Sequence, residues 1–165
     1  MRFLALAGAL VLAVSVALGG RSAAIQPSSI AGARTGLTKA AYKRLFGSPV
    51  LVEHLENDYS RLVFTGRKVE VYFHGQADAG VVVGTWSRAY RTAKGIGPCA
   101  SVAALKKAYG ARLARVLVGG SPAGYRLGRL VFTVDRGRVR AVSLKTASAP
   151  FFVAIATASR AGGCP

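Results

Sequence analysis

Residues 39–47, KAAYKRLFG, lie over residues 102–110, VAALKKAYG, at an offset of 63 and without a gap. Each stretch reads as a short helix. Thr38 and Ser101 stand at N-cap positions, and Gly47 and Gly110 supply the left-handed residue at which helices stop. In the first stretch Leu37 and Tyr42 have the spacing of a hydrophobic staple, and Pro49 forbids continuation. Ala41, Tyr42, Leu45 and Phe46 fall on one helical face. Neither helix runs much beyond two turns, so neither is stable alone and each must pack on something.

A sheet is the expected partner. Residues 60–65 (SRLVFT) and 68–74 (KVEVYFH) flank a break at Gly66-Arg67. Val69, Val71 and Phe73 alternate with Lys68, Glu70, Tyr72 and His74, the period-two pattern of a half-buried strand. Residues 81–86 (VVVGTW) form a third run, and 50–55 a candidate leading strand. In the second half Arg129–Asp135 lies over Lys68–His74 at an offset of 61, with Leu130, Phe132 and Val134 in the places of Val69, Val71 and Phe73. Asp135-Arg136-Gly137 makes a compact turn, Arg138–Leu144 returns, and FFVAIAT (151–157) is expected as a last apolar strand.

The fold class is therefore α+β: two related units, each a short helix followed by an antiparallel β-meander, in a continuous or packed sheet. The boundaries are residues 35–92 for the first unit and 93–165 for the second. Chance similarity between two short amphipathic helices is the competing explanation of the repeat. Residues 25–34 (IQPSSIAGAR) are Ser/Pro/Gly/Ala-rich and read as a flexible lead.

Residues 3–18 carry no charge, follow Arg2, and precede Ser22-Ala23-Ala24, with small residues where a signal peptidase needs them. Residues 1–24 are the expected signal peptide, a retained anchor being the alternative; sixteen apolar residues fall short of the ~20 that span a bilayer. Export makes a Cys99–Cys164 disulfide the expected state, with a reactive thiol as the lesser alternative. In the chain-entropy model such a link over 66 residues is worth ~4 kcal/mol. The expected location is secreted or cell-envelope.

The chain of 165 residues has a formal charge of +17. Residues 25–78 hold seven Lys/Arg against five acids; residues 79–165 hold fourteen against Asp135 alone. With 52% hydrophobic residues it is too apolar for a disordered polycation. A field of that sign attracts wall polymer, anionic lipid heads, nucleic acid or an acidic protein face. Export argues against nucleic acid as the physiological partner. The competing explanation is composition, since Arg outnumbers Lys sixteen to seven and Ala, Gly and Val abound.

The entrance Gly36-Leu37-Thr38, the short helix ending in Leu45-Phe46-Gly47-Ser48-Pro49 and the following meander resemble the repeat of β-lactamase inhibitory protein and of the small-protein-A/outer-membrane-lipoprotein-A domains. The likeness covers most of residues 35–146. It implies an exported bacterial protein-binding scaffold without catalysis, and carries no binding residue over. The chain departs from the lipoprotein pattern in having no cysteine near the cleavage site.

Catalytic groups are scarce. His54, within Glu53-His54-Leu55-Glu56-Asn57-Asp58, reads as an edge strand and a solvated turn rather than a metal cluster. His74 ends a strand on its polar face. Gly95-Ile96-Gly97-Pro98-Cys99-Ala100 formally fits a dinucleotide fingerprint, but 87–94 do not read as a buried parallel strand and no acid follows about 20 residues on. No cofactor and no metal are expected. The candidate partner-binding residues are Arg129, Arg138 and Arg140, which would share a face with Val131, Val142 and Leu144 if the hairpin pairs across Arg136-Gly137 without a bulge. The alternative for that face is packing against the other unit. The functional expectation is an exported non-enzymatic binding module. An electrostatic binder of anionic wall polymer or membrane surface is the alternative, and a small secreted hydrolase using His54 and His74 stands behind both.

Overall fold

The computed structural model describes residues 24–55, 57–162 and 164. The expected signal peptide lies outside the described residues except for Ala24. Both expected helices form, α1 (Lys39–Phe46) and α2 (Val102–Tyr109). Their caps are equivalent. The Thr38 hydroxyl accepts from the Ala41 N–H at 3.2 Å, and the Ser101 hydroxyl from the Ala104 N–H at 3.0 Å. Gly47 and Gly110 close the helices at φ +88° and +51°, where a side chain would be strained.

A hairpin, β1 (Ile25–Gln26) and β2 (Ser29–Ile30), precedes α1. Each helix then leads into four strands. After α1 come β3 (Leu51–His54), β4 (Tyr59–Phe64), β5 (Val69–His74) and β6 (Gly80–Thr85). After α2 come β7 (Ala114–Val118), β8 (Ser121–Leu127), β9 (Leu130–Asp135) and β10 (Arg138–Lys145). All eight join one antiparallel sheet in the order β3-β4-β5-β6-β10-β9-β8-β7. The last strands of the two halves meet: Val142 pairs with Thr85 and Leu144 with Val83. β3 and β7 are the edges. The architecture is thus α+β, with mostly antiparallel β structure.

One face of the sheet carries α1, α2 and the hairpin. Tyr42 of α1 packs edge-on against Phe73, Phe46 packs on Phe64, and Leu105 of α2 is buried in the same cluster as Phe132, Val142 and Leu144. β2 contacts β6 and β10, so the hairpin plugs the seam where the halves meet. This corrects the reading of residues 25–34 as a flexible lead. Ile25, Ile30 and Ala33 are buried in the core, and the Ile25 N–H donates to the Arg91 carbonyl at 3.0 Å. A Ser/Pro/Gly-rich composition marks turns without saying whether the two isoleucines between them find a cavity.

The second correction concerns residues 151–157. Phe151–Ala156 is a helix, α3, continued by a 3-10 turn at Thr157–Arg160; among the described residues no strand follows β10. An apolar run of that length lacks a periodicity that separates buried helix from buried strand. Here β10 already has β6 and β9 on its two sides, so the run cannot pair with the strand it follows. It crosses the other face of the sheet instead, with Val153 and Ala154 packed on Val82 and Val131. The strands β7 and β8 were not anticipated at all. Their turn, Gly119-Gly120, has both residues at positive φ, as two-residue hairpins of this kind need.

The Cys99–Cys164 disulfide is formed, with Cα atoms 5.4 Å apart, and ties the chain beyond α3 to the entrance of α2. No helix among the described residues is long and apolar enough to cross a membrane.

Candidate functional site

The three candidate arginines do not converge. Arg136-Gly137 is the expected two-residue turn, with φ +48° and +72° and Asp135 opposite Arg138. One position later the register slips, between Val139 and Ala141, and Arg140 is the extra residue. The slip separates the expected apolar set. Val142 and Leu144 pair with Phe132 and Leu130 on the α1/α2 face, while Val131, opposite Ser143, faces α3. Each guanidinium is used locally. Arg138 donates to the Cys99 carbonyl at 3.2 Å. Arg140 donates to the Ala161 carbonyl at 2.6 Å and lies 3.8 Å from the Asp135 carboxylate. Arg129 donates to the Lys145 carbonyl at 2.9 Å and to the Thr35 hydroxyl.

Of the three, Arg129 lines a basic recess. At the end of the β9–β10 pair, Arg126, Gly128, Arg129, Lys145, Thr146, Ala147 and Phe151 enclose about 340 Å³. Lys145 is 8% exposed. Its ammonium donates to the Thr146 carbonyl at 2.8 Å and the Ala147 carbonyl at 3.1 Å, and sits 4.9 Å above the Phe151 ring. Burial lowers its pKa, and repulsion from Arg126 and Arg129 lowers it further. Among the described residues no acidic side chain lines this space; Asp135 is at the far end of β9, five residues or about 16 Å from Leu130. Three cations around one hollow repel one another, and an anion placed among them relieves that repulsion. Sequence reading missed Arg126 because β8 was not anticipated, and Lys145 because the expected returning strand ended at Leu144, one residue short of it. The Gly119-Gly120 pair directly after the apolar Val116-Leu117-Val118 was the signal that could have found β8.

A second hollow lies on the same face. His54, Leu55, Asn57, Tyr59, Tyr72, Phe152, Val153 and Ala156 enclose about 450 Å³ between the β3–β4 turn and α3. Phe152 meets Tyr59 edge-on at 6.0 Å, and His74 packs on Tyr59 at 4.7 Å. Beside it runs a charged row on one face of β3, β4 and β5. Arg61 bridges the Glu53 carboxylate, lies 3.6 Å from that of Glu70 and donates to the Tyr72 hydroxyl at 3.3 Å; that hydroxyl donates to Glu70 at 2.8 Å. Burial and the Glu70 carboxylate raise the Tyr72 pKa well above the usual phenol range.

The register places His54 opposite Ser60 and His74 opposite Tyr59, so β4 stands between the two imidazoles. The edge strand and turn expected around His54 are present, with Asn57 and Asp58 at positive φ. The Gly95–Ala100 loop is filled by the chain itself. Arg91 donates to the Pro98 carbonyl at 2.9 Å, and a Cβ on Gly97 would come within 2.2 Å of the Tyr90 carbonyl oxygen.

No protein-family model matches the sequence, and no curated protein matches it. Among solved structures the chain is similar to a cysteine-rich secretory protein from Staphylococcus aureus subsp. aureus Mu50. The identity is 13% and the TM-score 0.46, over 68% of this chain and 44% of that one, so the match spans less than half of the other protein's length.

Proposed function

We propose that this chain is an exported binding module that recognises an anionic partner through its second half, without catalysis. The observation that carries the reading is the recess of Arg126, Arg129 and Lys145, three cations with no carboxylate among the described lining residues. Lys145 is buried there despite the cost of desolvating an ammonium, which two carbonyls and an aromatic ring only partly offset. Export is supported by the apolar leader of residues 1–24 and by the disulfide, since such bonds persist in oxidising compartments.

We also infer that the two halves descend from one unit, as in the tandem scaffolds that the sequence resembles. Support comes from their equivalent helix caps, from the shared order of a helix followed by four antiparallel strands, and from the meeting of fourth strand with fourth strand at the seam. Duplication accounts for the fold; the excess of positive charge belongs to the second copy alone.

The test compares two variants of equal net charge. Arg126→Ala alters the recess, whereas Arg67→Ala removes an exposed cation in the turn between β4 and β5. Titration with inorganic phosphate at low ionic strength should show binding that weakens with added salt, and that weakens several-fold in Arg126→Ala while Arg67→Ala stays near wild type. Equal losses in both variants would reduce the effect to net charge and overturn the reading.

A further inference from the structure

We propose that the basic recess and the aromatic hollow form one binding site for a single-chain anionic amphiphile, an apolar chain ending in a carboxylate or a monoester phosphate. The inference rests on the anion-binding reading above and adds the chemical class of the ligand. Three observations carry it.

The first is adjacency. Phe151 walls the recess and Phe152, the next residue, walls the hollow, so the two spaces flank the first turn of α3. The second is sheet register. Lys145 pairs with Val82, and Val82 with Tyr72. Paired residues project from the same face, so Lys145 and Tyr72 lie two strand spacings apart, about 10 Å, within reach of a medium-length alkyl chain. The third is chemical contrast. The hollow presents Leu55, Tyr59, Tyr72, Val153 and Ala156 beneath Phe152, a phenylalanine 44% exposed. The recess presents Arg126, Arg129 and Lys145. A cationic pocket beside an aromatic one matches a ligand that is charged at one end only: the head meets the cations, and the chain passes over the two phenylalanines into the hollow. A free phosphate leaves the hollow empty, and a neutral alkyl chain leaves the cations repelling one another.

The test uses the full oxidised protein and a series of straight-chain carboxylates from acetate to dodecanoate, below micelle formation, with alkyl phosphates as a parallel arm. Affinity should rise about fourfold per added methylene until the hollow is full, from the transfer free energy of a buried methylene. The decyl ether of a neutral sugar should bind far more weakly than decanoate. Phe152→Ser, at an exposed position, should flatten the chain-length dependence while leaving inorganic phosphate binding unchanged. Arg126→Ala should weaken every member by the same factor. Affinity independent of chain length, or a series untouched by Phe152→Ser, overturns the joint site and leaves anion binding standing. Phosphate binding insensitive to Arg126→Ala overturns the reading beneath it. The stronger of the carboxylate and phosphate arms identifies the head group.

Discussion

Gly84 offers a sharp test of how α3 and the chain beyond it sit on the sheet. It lies in β6 at the seam, opposite Glu70 on one side and Ser143 on the other. A Cβ there would come within 2.2 Å of Thr157 Oγ1, 2.7 Å of its Cγ2 and 2.9 Å of its Cβ. Carbon atoms pack best at about 3.5–4.0 Å, so Gly84→Ala requires Thr157 to retreat by about 1 Å. Thr157 is fully buried, and its hydroxyl lies 3.1 Å from Ser143 Oγ, which also donates to the Ala154 carbonyl at 2.7 Å. The disulfide holds the chain a few residues further on, which limits how far the segment can lift. Overpacking costs about 1–3 kcal/mol, and a strained or lost hydrogen bond about 1 kcal/mol more. Gly84→Ala should therefore destabilise the oxidised protein by about 2–4 kcal/mol in urea unfolding followed by circular dichroism. In a Thr157→Ala background only the Cβ contact remains, so the same change should cost at least about 1 kcal/mol less. A Gly84→Ala protein within about 0.5 kcal/mol of wild type, or an equal cost in both backgrounds, would refute the placement of Thr157 over the seam.

Three further outcomes follow from the same structure. Replacing Cys99 and Cys164 together with alanine should lower stability by up to ~4 kcal/mol, the loop-closure value for a link of this span; an unchanged urea midpoint would contradict it. Ile30→Ala should cost about 2–5 kcal/mol, because this side chain plugs the seam; a detached lead would show almost no change. Stability should fall as pH rises above 10. The phenols of Tyr42 and Tyr72 are held protonated in the folded chain, chiefly by burial, while their unfolded counterparts ionise from pH 10. The stability they add is complete below that pH and is lost as pH climbs through the folded values. Lys145 works in the opposite sense: its pKa is lowered by folding, so its penalty is present at low pH and is relieved as pH rises towards 10.5. Urea midpoints measured from neutral to alkaline pH should decline less steeply in Tyr72→Phe than in wild type.

Much of the fold was legible locally. Thr38 and Ser101 announce their helices and Gly47 and Gly110 end them, because capping chemistry acts within a single turn of chain. The alternation Val69–Val71–Phe73 against Glu70–Tyr72–His74 puts the first set on the helices as expected, but the other face of β5, expected to be wet, is covered: Glu70 and Tyr72 are fully buried, Tyr72 against Val153 and Ala154 of α3, and only His74 is exposed. The turn at Arg136-Gly137 and the pairing of Cys99 with Cys164 were equally readable. The candidate site was legible in one residue of three: Arg129 lines the recess, whereas Arg138 and Arg140 bond backbone carbonyls elsewhere.

By itself, then, the chain determined what short-range chemistry can determine: where helices begin and stop, which runs are strands, how one hairpin turns, where the charge accumulates. The folded whole decided the rest. A single extra residue at Arg140 reverses which side chains face α3, since a strand's side chains alternate and one slip exchanges its faces. Residues 151–156, which follow a strand already paired on both sides, lie as a helix across the sheet, and two isoleucines in an unpromising lead are buried at the seam between the halves. Each of these outcomes depends on partners far away in sequence, and no window of ten residues contains them.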